Sequence, residues 1–450
     1  MNKNKLFGTD GIRGEFGEWP LSEQVVYNVS VAISSWLRKK HKNKINVVIG
    51  KDTRRSCSKI EQILADGFKK AGVGVYSAGV IPTPGLSYLV NTMDVELGVM
   101  ISASHNPWQD NGIKFFKHNG FKLSEQEERA IERIALPMFK KSEYKPSKKK
   151  IKIEKINSKR YITHLKECVG NMDLRGIKIV ADCANGASSA YVLKLFSDLG
   201  AKVIVMNNKP DGKNINLNCG SLYPQVVAKA VCNHKADIGF SFDGDADRVI
   251  FCDEKGKVLD GDFIMSLVVK IWLKNKKLKN KVIVGTSMTN FGLEKFLEKL
   301  NISLIRADVG DKYVLKEMIR KKAVFGGEQS GHIIFLEHAT TGDGLLTALK
   351  LMEIITGESQ KISTLVKGLK KYPQLISNVR VREKIDFKKL PVVWGKIQKA
   401  QRQLIGRGRL VMRYSGTEPL ARVMVEAQSK TEIKKIAADI SNAIAKEIGI

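Results

Sequence analysis

The chain has 450 residues, of which 43% are hydrophobic and 27% charged, a composition that suggests roughly three globular domains and excludes a mainly disordered chain. Lys and Arg number 76 against 46 Asp and Glu, which gives a formal net charge of +30. The excess is spread along the sequence, with one dense run at residues 147–155, and no nucleic-acid-binding motif accompanies it. We therefore expect a solvated basic surface and no specific nucleic-acid partner.

The sequence predicts a cytoplasmic protein without a membrane partner. Its longest apolar stretch, residues 263–273, contains Lys270 and is too short to span a bilayer. The first residues, MNKNKLFGTDGIRG, contain no apolar signal segment. The six cysteines include no C-x-x-C pair, which is typical of isolated thiols in a reducing compartment.

Short apolar strands alternate with helix-like segments along most of the chain. The predicted strands lie at residues 45–50, 95–103, 176–182, 201–207, 281–286 and 302–309, with helix-like segments at 60–71, 188–200 and 291–300. This alternation is typical of an α/β protein with βαβ units, whose parallel sheets are covered by helices on both faces. Beyond residue 370, a strand at 378–383, a glycine-rich strand at 406–416 and a helix at 430–449 predict a small α+β domain. Charged stretches suggest the boundaries 1–155, 156–256, 257–370 and 371–450.

The motif FDGDADR follows a predicted strand and contains Asp243, Asp245 and Asp247. In an extended loop, these alternating carboxylates would lie on one face. Three clustered carboxylates need a positive partner, and Mg²⁺ is the natural one. Two alternatives stay open. One is an EF-hand, although Arg248 stands where that loop needs glycine, and the other is a purely structural turn.

A second motif, ISASHNPWQDNGIKFF, also follows an apolar strand, where ligands of α/β sheets gather. Ser102 and Ser104 are both candidate nucleophiles, with His105 and Lys114 as polar neighbours. By itself the motif is equally compatible with a helix cap followed by a turn.

Three further loops carry candidate binding groups. RYSGTEP, with Arg422 beyond it, offers a guanidinium fork, hydroxyls and backbone N–H groups that suit a phosphate dianion. GGEQSGH contains Glu328 and Ser330, which suit hydrogen bonds to sugar hydroxyls. FGTDGIRG turns on its glycines and presents Arg13. Each of the three is also compatible with a plain structural turn.

Together, the five motifs resemble the α-D-phosphohexomutase superfamily in order and spacing over nearly the whole chain. The segments GKDTRRS, PDGKNIN and GHIIFLEHATTGDGLLTAL extend the likeness. GGEQSGHIIF is typical of the branch that acts on glucosamine phosphates, because related phosphomannomutase/phosphoglucomutase proteins tend to carry Met in place of Gln329. The resemblance implies three α/β/α sandwich domains followed by a C-terminal α+β domain.

The resemblance also implies an isomerase-class phosphohexomutase. It would interconvert glucosamine 6-phosphate and glucosamine 1-phosphate through a phosphoserine and a 1,6-bisphosphate, a step toward UDP-N-acetylglucosamine. Its partners would be a phosphorylated amino sugar, one Mg²⁺ per chain and a sugar 1,6-bisphosphate activator. The chain would be a monomer or a homodimer.

Residue roles follow from the same resemblance. Ser104 would carry the phosphoryl group, and that phosphate would bind Mg²⁺ together with Asp243, Asp245 and Asp247. Arg13, Lys114 and His332 match positions linked to charge stabilisation or proton transfer. The positions that would contact the sugar or its non-transferring phosphate are Glu328, Ser330, Arg413, Ser415, Gly416, Thr417 and Arg422.

Two positions depart from the family pattern, because Lys312 in VGDKYV stands where Arg is frequent and Tyr223 where His is frequent. Both put fine substrate contacts in doubt and leave the reaction unaffected. Three other functions remain open. A phosphomannomutase/phosphoglucomutase would keep the chemistry and change the sugar, a Mg²⁺-dependent phosphatase would use the acidic loops alone, and a nucleic-acid-binding protein would explain the charge.

Overall fold

Four β-sheets follow one another along the chain in the computed structural model. The structure describes residues 5–139, 144–147, 151–278, 280–415 and 418–450. The first sheet contains strands β1 (Ile12–Glu15), β2 (Asn46–Lys51), β3 (Gly74–Val80), β4 (Leu97–Ile101), β5 (Asp110–Lys117) and β6 (Glu154–Lys155). Its helices are α1 (Glu23–Lys40), α2 (Cys57–Lys70), α3 (Thr83–Thr92) and α4 (Glu125–Met138). The strand order is β1-β5-β4-β2-β3-β6, in which β5 runs antiparallel to both of its neighbours.

The second sheet contains β7 (Lys178–Asp182), β8 (Lys202–Met206), β9 (Ile238–Phe242), β10 (Val249–Asp253) and β11 (Val258–Leu259). Its helices are α5 (Lys159–Glu167), α6 (Val192–Ser197) and α7 (Pro224–His234). The order is β11-β10-β9-β7-β8, with β9, β7 and β8 parallel and β10 and β11 added as an antiparallel edge.

The third sheet contains β12 (Val282–Thr286), β13 (Ser303–Ala307), β14 (Phe325–Gly327) and β15 (Ile333–Phe335), in the order β13-β12-β14-β15. Its helices are α8 (Gly261–Lys274), α9 (Phe291–Lys299), α10 (Asp311–Lys321), α11 (Gly344–Glu358) and α12 (Ile362–Leu365). Only β15 is antiparallel to its neighbour.

The fourth sheet is antiparallel and contains β16 (Gln374–Arg380), β17 (Gly408–Tyr414) and β18 (Leu420–Ala427), in the order β16-β18-β17. Two helices, α13 (Pro391–Leu404) and α14 (Lys430–Ile448), pack on it. Helix α14 buries Ile433, Ile436, Ile440 and Ile444, the three- and four-residue spacing of an amphipathic helix.

The packing separates the fourth domain from the other three. One hydrophobic cluster is continuous through the first three domains and includes Phe116, Phe240 and Phe325, whereas the fourth domain has a cluster of its own. The third and fourth domains meet through polar groups. Arg409 donates to the backbone carbonyls of Ser287 and Thr289, each at 2.7 Å. The fourth domain therefore docks on the rest without sharing its core.

The predicted alternation of strands and helices and the α+β C-terminal domain are confirmed, but the sheets are mixed, and the prediction of parallel sheets is wrong at their edges. Strands β9 and β10 are joined by residues 243–248 alone, which is too short for the crossover that parallel strands require. The domain boundaries stay a prediction. Residues 366–373 connect α12 to β16, and the predicted boundary after residue 256 falls between the paired strands β10 and β11. Within the described residues, no helix has both the length and the apolar character needed to cross a membrane.

Candidate active site

Ser104 lies in the loop that follows β4, with only 2% of its surface exposed. Its hydroxyl donates to Asp243 Oδ2 at 2.6 Å, and Asp243 directly follows β9 of the second domain. The φ of Ser104 is +53°, a left-handed conformation that costs about 1–3 kcal/mol for a residue other than glycine. Ser102 supports this conformation, because its Oγ accepts from the backbone N–H of Ser104 at 3.0 Å and donates to Asp52 at 2.7 Å.

Arg54 of the segment GKDTRRS and Asn216 of the segment PDGKNIN hold the serine loop in place. The carbonyl of Ser104 accepts from Arg54 at 3.1 Å and from Asn216 at 2.9 Å. Both side chains also donate to the carbonyl of Asn106. A Cβ added to Gly244 would lie 2.6 Å from the carbonyl oxygen of Ser104, so this close approach requires glycine.

The three aspartates of FDGDADR converge, although the reason differs from the predicted one. The loop is a turn in which Ala246 has a φ of +55° and donates its N–H to the Asp243 carbonyl at 3.0 Å. Strand alternation therefore does not apply to it. The turn brings one ligand atom each of Asp243, Asp245 and Asp247 within 4.8 Å of one another, and all three residues are buried.

The donor set fits a hard divalent cation. Among the described residues, the Oδ1 atoms of Asp245 and Asp247 are buried and accept no hydrogen bond. Burial, and then the carboxylates of Asp247 and Asp245, hold the pKa of Asp243 well above its ordinary value. Asp247 Oδ1 lies 3.7 Å from Arg248 Nε, beyond hydrogen-bond distance. A cation bound by the three carboxylates would satisfy both Oδ1 atoms, and oxygen ligands suit Mg²⁺.

Lys114 projects from β5 into this acidic cluster and is 1% exposed. Its Nζ lies 2.8 Å from Asp245, 3.3 Å from Asp10 and 3.6 Å from Asp247. Burial alone would lower the pKa of Lys114, but these carboxylates outweigh it and raise the pKa. Arg13 pairs with the same Asp10 carboxylate at 2.5 Å. Both groups therefore remain cationic beside the aspartates.

Two histidines border the cluster. His332 is buried with Nδ1 3.7 Å from Asp247, and its Nε2 accepts the N–H of Gly342 at 2.9 Å. A Cβ on Gly342 would lie 2.5 Å from the His332 ring, so only glycine permits this contact. The second histidine is His105. Its Nδ1 lies 3.4 Å from the hydroxyl of Ser104 and 3.1 Å from the guanidinium of Arg248. Burial, and then Arg248, lower the pKa of His105 to about 4.

The GGEQSGH loop follows β14 and meets the second domain next to the aspartate turn. Ser330 donates to Glu328 at 3.0 Å, and the other oxygen of Glu328 accepts the Gly310 N–H at 3.2 Å. The backbone carbonyl of Gly331 accepts from Val249, the first residue of β10. The serine loop, the aspartate turn and this loop each follow the carboxyl end of a strand, so three separate sheets supply one site.

The remaining predicted binding residues lie on the fourth sheet. Arg413 in β17 stands directly opposite Arg422 in β18, and burial followed by Arg422 lowers the pKa of Arg413. Like charges opposite each other destabilise a sheet. Arg422 offsets part of this repulsion through an ion pair with Glu418 at 3.0 Å, and an anion between the two guanidinium groups would offset more. Ser415 follows β17, whereas Gly416 and Thr417 lie outside the described residues. No described hydrogen bond or ion pair joins Arg413, Ser415 or Arg422 to the aspartate cluster.

Lys312 and Tyr223, the two positions that depart from the family pattern, both lie outside the aspartate cluster. Lys312 reaches Glu125 and Glu128 of α4 at 3.5 and 4.0 Å, and Tyr223 is 42% exposed. Sequence reasoning missed Asp10 and Lys122, which join the cluster through ion pairs. Asp10 stands three residues before Arg13 in a quoted motif and could have been found, whereas the environment of Lys122 gave no such signal.

Models of the phosphoglucomutase/phosphomannomutase family match the chain in four consecutive parts. The α/β/α domains I, II and III match residues 4–141, 159–256 and 260–372, and the C-terminal domain matches residues 377–443.

Relatives of similar length cover nearly the entire chain. The phosphoglucosamine mutase of Bdellovibrio bacteriovorus is 43% identical over 99% of both chains, and that of Caldicellulosiruptor saccharolyticus is 45% identical over 98% of both. A solved phosphoglucomutase/phosphomannomutase family protein of Burkholderia thailandensis has the same fold, with a TM-score of 0.81, 22% identity and full coverage of both chains. Aspergillus fumigatus N-acetylphosphoglucosamine mutase, solved with GlcNAc-6P and magnesium, gives a TM-score of 0.64 at 20% identity over 92% of this chain and 85% of its own.

Proposed function

The chain belongs to the phosphoglucomutase/phosphomannomutase family, and on that basis we propose that it interconverts glucosamine 6-phosphate and glucosamine 1-phosphate. The observation that carries the proposal is the hydrogen bond from Ser104 to Asp243, which joins a buried serine to three clustered carboxylates. The choice of glucosamine is supported by GGEQSGHIIF and by full-length relatives named phosphoglucosamine mutase.

The reaction needs a phosphoserine, because a phosphoryl group cannot pass directly between O6 and O1 of one sugar. With Ser104 phosphorylated, the free sugar hydroxyl attacks phosphorus, loses its proton and forms a 1,6-bisphosphate as the bond from phosphorus to Ser104 Oγ breaks. The sugar then reorients, and Ser104 takes back the other phosphoryl group. A sugar 1,6-bisphosphate would act as activator, because it can phosphorylate the free serine.

Asp243, Asp245, Asp247 and the Ser104 phosphate would hold Mg²⁺. The Oδ1 atoms of Asp245 and Asp247, which accept no described hydrogen bond, would be among the ligands. Bound there, the cation would neutralise charge on the transferring phosphoryl group. Lys114 and Arg13 add fixed positive charge at the same place. Because both remain protonated, we assign charge stabilisation to them. His332 is the member of the three whose side chain is an imidazole, a group that can both accept and donate a proton, and we assign proton transfer to it.

Substrate contacts divide between two loops. Glu328 and Ser330 would bind hydroxyl or amino groups of the sugar. The non-transferring phosphate would bind on the fourth domain, where the opposed Arg413 and Arg422 favour a dianion. The groups completing this second set are Ser415, Gly416 and Thr417. Because the fourth domain has its own core, it can close on the substrate and exclude water, which protects the phosphoserine from hydrolysis.

A coupled mutase assay with the 6-phosphates of glucosamine, glucose and mannose tests the proposal. We expect glucosamine 6-phosphate to give the highest kcat/KM. Faster turnover of glucose or mannose phosphate would place the chain elsewhere in the superfamily. Release of inorganic phosphate without isomerisation would favour a phosphatase.

A further inference from the structure

Six charged or titratable side chains at the junction of the first three domains form a closed ring. The first domain contributes Asp10, Lys114 and Lys122, the second Asp247, and the third Asp311 and His332. In order around the ring, the neighbours are Asp247 and Lys114, Lys114 and Asp10, Asp10 and Lys122, Lys122 and Asp311, Asp311 and His332, and His332 and Asp247. Acids and bases alternate around the ring, and the link from Asp311 to His332 Nε2 is its longest, at 3.9 Å, because that nitrogen accepts the Gly342 N–H.

Asp10, Lys122 and Asp311 are the members of this ring that have no assigned role in the proposed reaction, and Lys122 and Asp311 are the two of them that join different domains. Both side chains are 15% exposed, and they form a direct ion pair between the first and third domains. Lys122 also pairs with Asp10 Oδ1, whereas Asp10 Oδ2 faces Lys114 and Arg13. Asp10 thus contacts Lys122 with one carboxylate oxygen and the two cations of the site, Lys114 and Arg13, with the other.

Lys122 lies between two carboxylates and offsets their mutual repulsion. Asp10 and Asp311 come from different domains, are both partly buried and repel each other. Lys122 bonds to both and so allows the two domains to approach at this point. Without Lys122, the two partly buried carboxylates would repel each other and separate. That movement would change the distance from Asp10 to Lys114.

We propose that Lys122 and Asp311 are positioning residues for phosphoryl transfer. Their ion pair holds Asp10 and, through Asp10, the Lys114 ammonium and the Arg13 guanidinium against the aspartate turn. The inference rests on the proposed mutase function. Because a displacement of about 1 Å in such a group can cost about 100-fold in rate, losing the bridge should slow the chemical step more than it weakens sugar-phosphate binding.

The test compares Lys122→Met, Lys122→Arg and Asp311→Asn with matched controls. Lys117→Met removes a lysine that is 29% exposed at the end of β5, the strand that carries Lys114, and Asp308→Asn removes an exposed aspartate just before α10. Three quantities are measured: single-turnover transfer from phosphorylated enzyme to glucosamine 6-phosphate, KM, and the melting temperature. We expect Lys122→Met and Asp311→Asn to slow transfer about 10- to 100-fold with KM changed less than about threefold. Lys122→Arg should recover most of the rate.

A double variant, Lys122→Met with Asp311→Asn, should be no slower than the worse single variant, because both remove the same bridge. Rates like those of the controls, or a loss that tracks the melting temperature and is not rescued by arginine, would overturn the inference and leave the proposed function intact. A wild-type chain without mutase turnover would contradict both. If Lys122→Met does not fold, Asp311→Asn and Lys122→Arg give the same comparison.

Discussion

The hydroxyl of Ser104 in the first domain donates to the carboxylate of Asp243 in the second at 2.6 Å. Both residues are buried. Ser104 lies three residues after the end of β4, and Asp243 directly follows β9. Arg54 and Asn216 then hold the carbonyl of Ser104 from both domains. The candidate nucleophile is thus placed by backbone and side-chain contacts that do not depend on any bound substrate.

Ser104→Ala should abolish mutase turnover, because it removes the only phosphoryl acceptor in the proposed reaction. Ser102→Ala should leave the phosphorylation site at Ser104. It should cost about 1–3 kcal/mol of stability, since the buried N–H of Ser104 loses its acceptor. Intact mass and peptide mapping after incubation with glucose 1,6-bisphosphate distinguish the two. Phosphate mapped to Ser102, or normal turnover by Ser104→Ala, would disprove the assignment.

Removal of divalent cations should inactivate the enzyme, and Mg²⁺ should restore it. Asp245→Asn and Asp247→Asn should each lower Mg²⁺ affinity by more than about tenfold, measured by calorimetry without substrate. Wild type should melt at a higher temperature in Mg²⁺, by an amount equivalent to about 2.7 kcal/mol at 100 times Kd.

A suitable control for these variants is Asp237→Asn. Asp237 is exposed and precedes β9, at the opposite end of the strand that leads to Asp243. The Asp237→Asn variant should bind Mg²⁺ with the same affinity as wild type. Equal affinities for all three variants would contradict the proposed metal site.

Arg413→Ala should raise KM for glucosamine 6-phosphate about 10- to 100-fold, the effect of losing one or two charge-assisted hydrogen bonds to phosphate. Arg422→Ala should act in the same direction. Arg407→Ala serves as control, because Arg407 is exposed and pairs with Glu432 on the domain surface. Steady-state kinetics of the three variants measure these effects. An unchanged KM for Arg413→Ala would contradict the proposed binding of the phosphate by the fourth domain.

Glu128 gives a test of electrostatics away from the site. Burial, only partly offset by Lys312, raises the pKa of Glu128 to about 7, against about 4.3 in an unfolded chain. The folded state therefore binds this proton more tightly, so the associated stability is present below about pH 4 and is lost as the pH rises through about 7.

Glu128→Gln carries no charge at any pH, so its stability relative to wild type should increase between pH 5 and pH 8. Because the side chain is partly solvated, we expect a gain of about 1 kcal/mol. Urea unfolding at several pH values measures it. Glu125→Gln is the control, since Lys312 lowers the pKa of Glu125 and its removal should give no gain at high pH. A pH-independent difference for Glu128→Gln would contradict the raised pKa.

The sequence by itself determined the α/β alternation and the five candidate loops, four of which the structure brings together around the aspartate cluster. Strand and helix patterns depend on local periodicity, and FDGDADR and SASHNP contain their reactive groups within a few residues. Asp243, Asp245 and Asp247 could therefore be predicted together, even though a turn and not an extended loop brings them together.

Only the tertiary structure decided which distant charges meet. The partner of Lys122 is 189 residues away in Asp311, and that of Ser104 is 139 residues away in Asp243. Polar pairs of this kind have no periodicity, so neither residue reveals its partner in the sequence. The opposed Arg413 and Arg422 also depend on the register of β17 and β18. The separate core of the fourth domain likewise follows from how the sheets pack, because similar apolar spacing in a helix is compatible with a shared or a separate core.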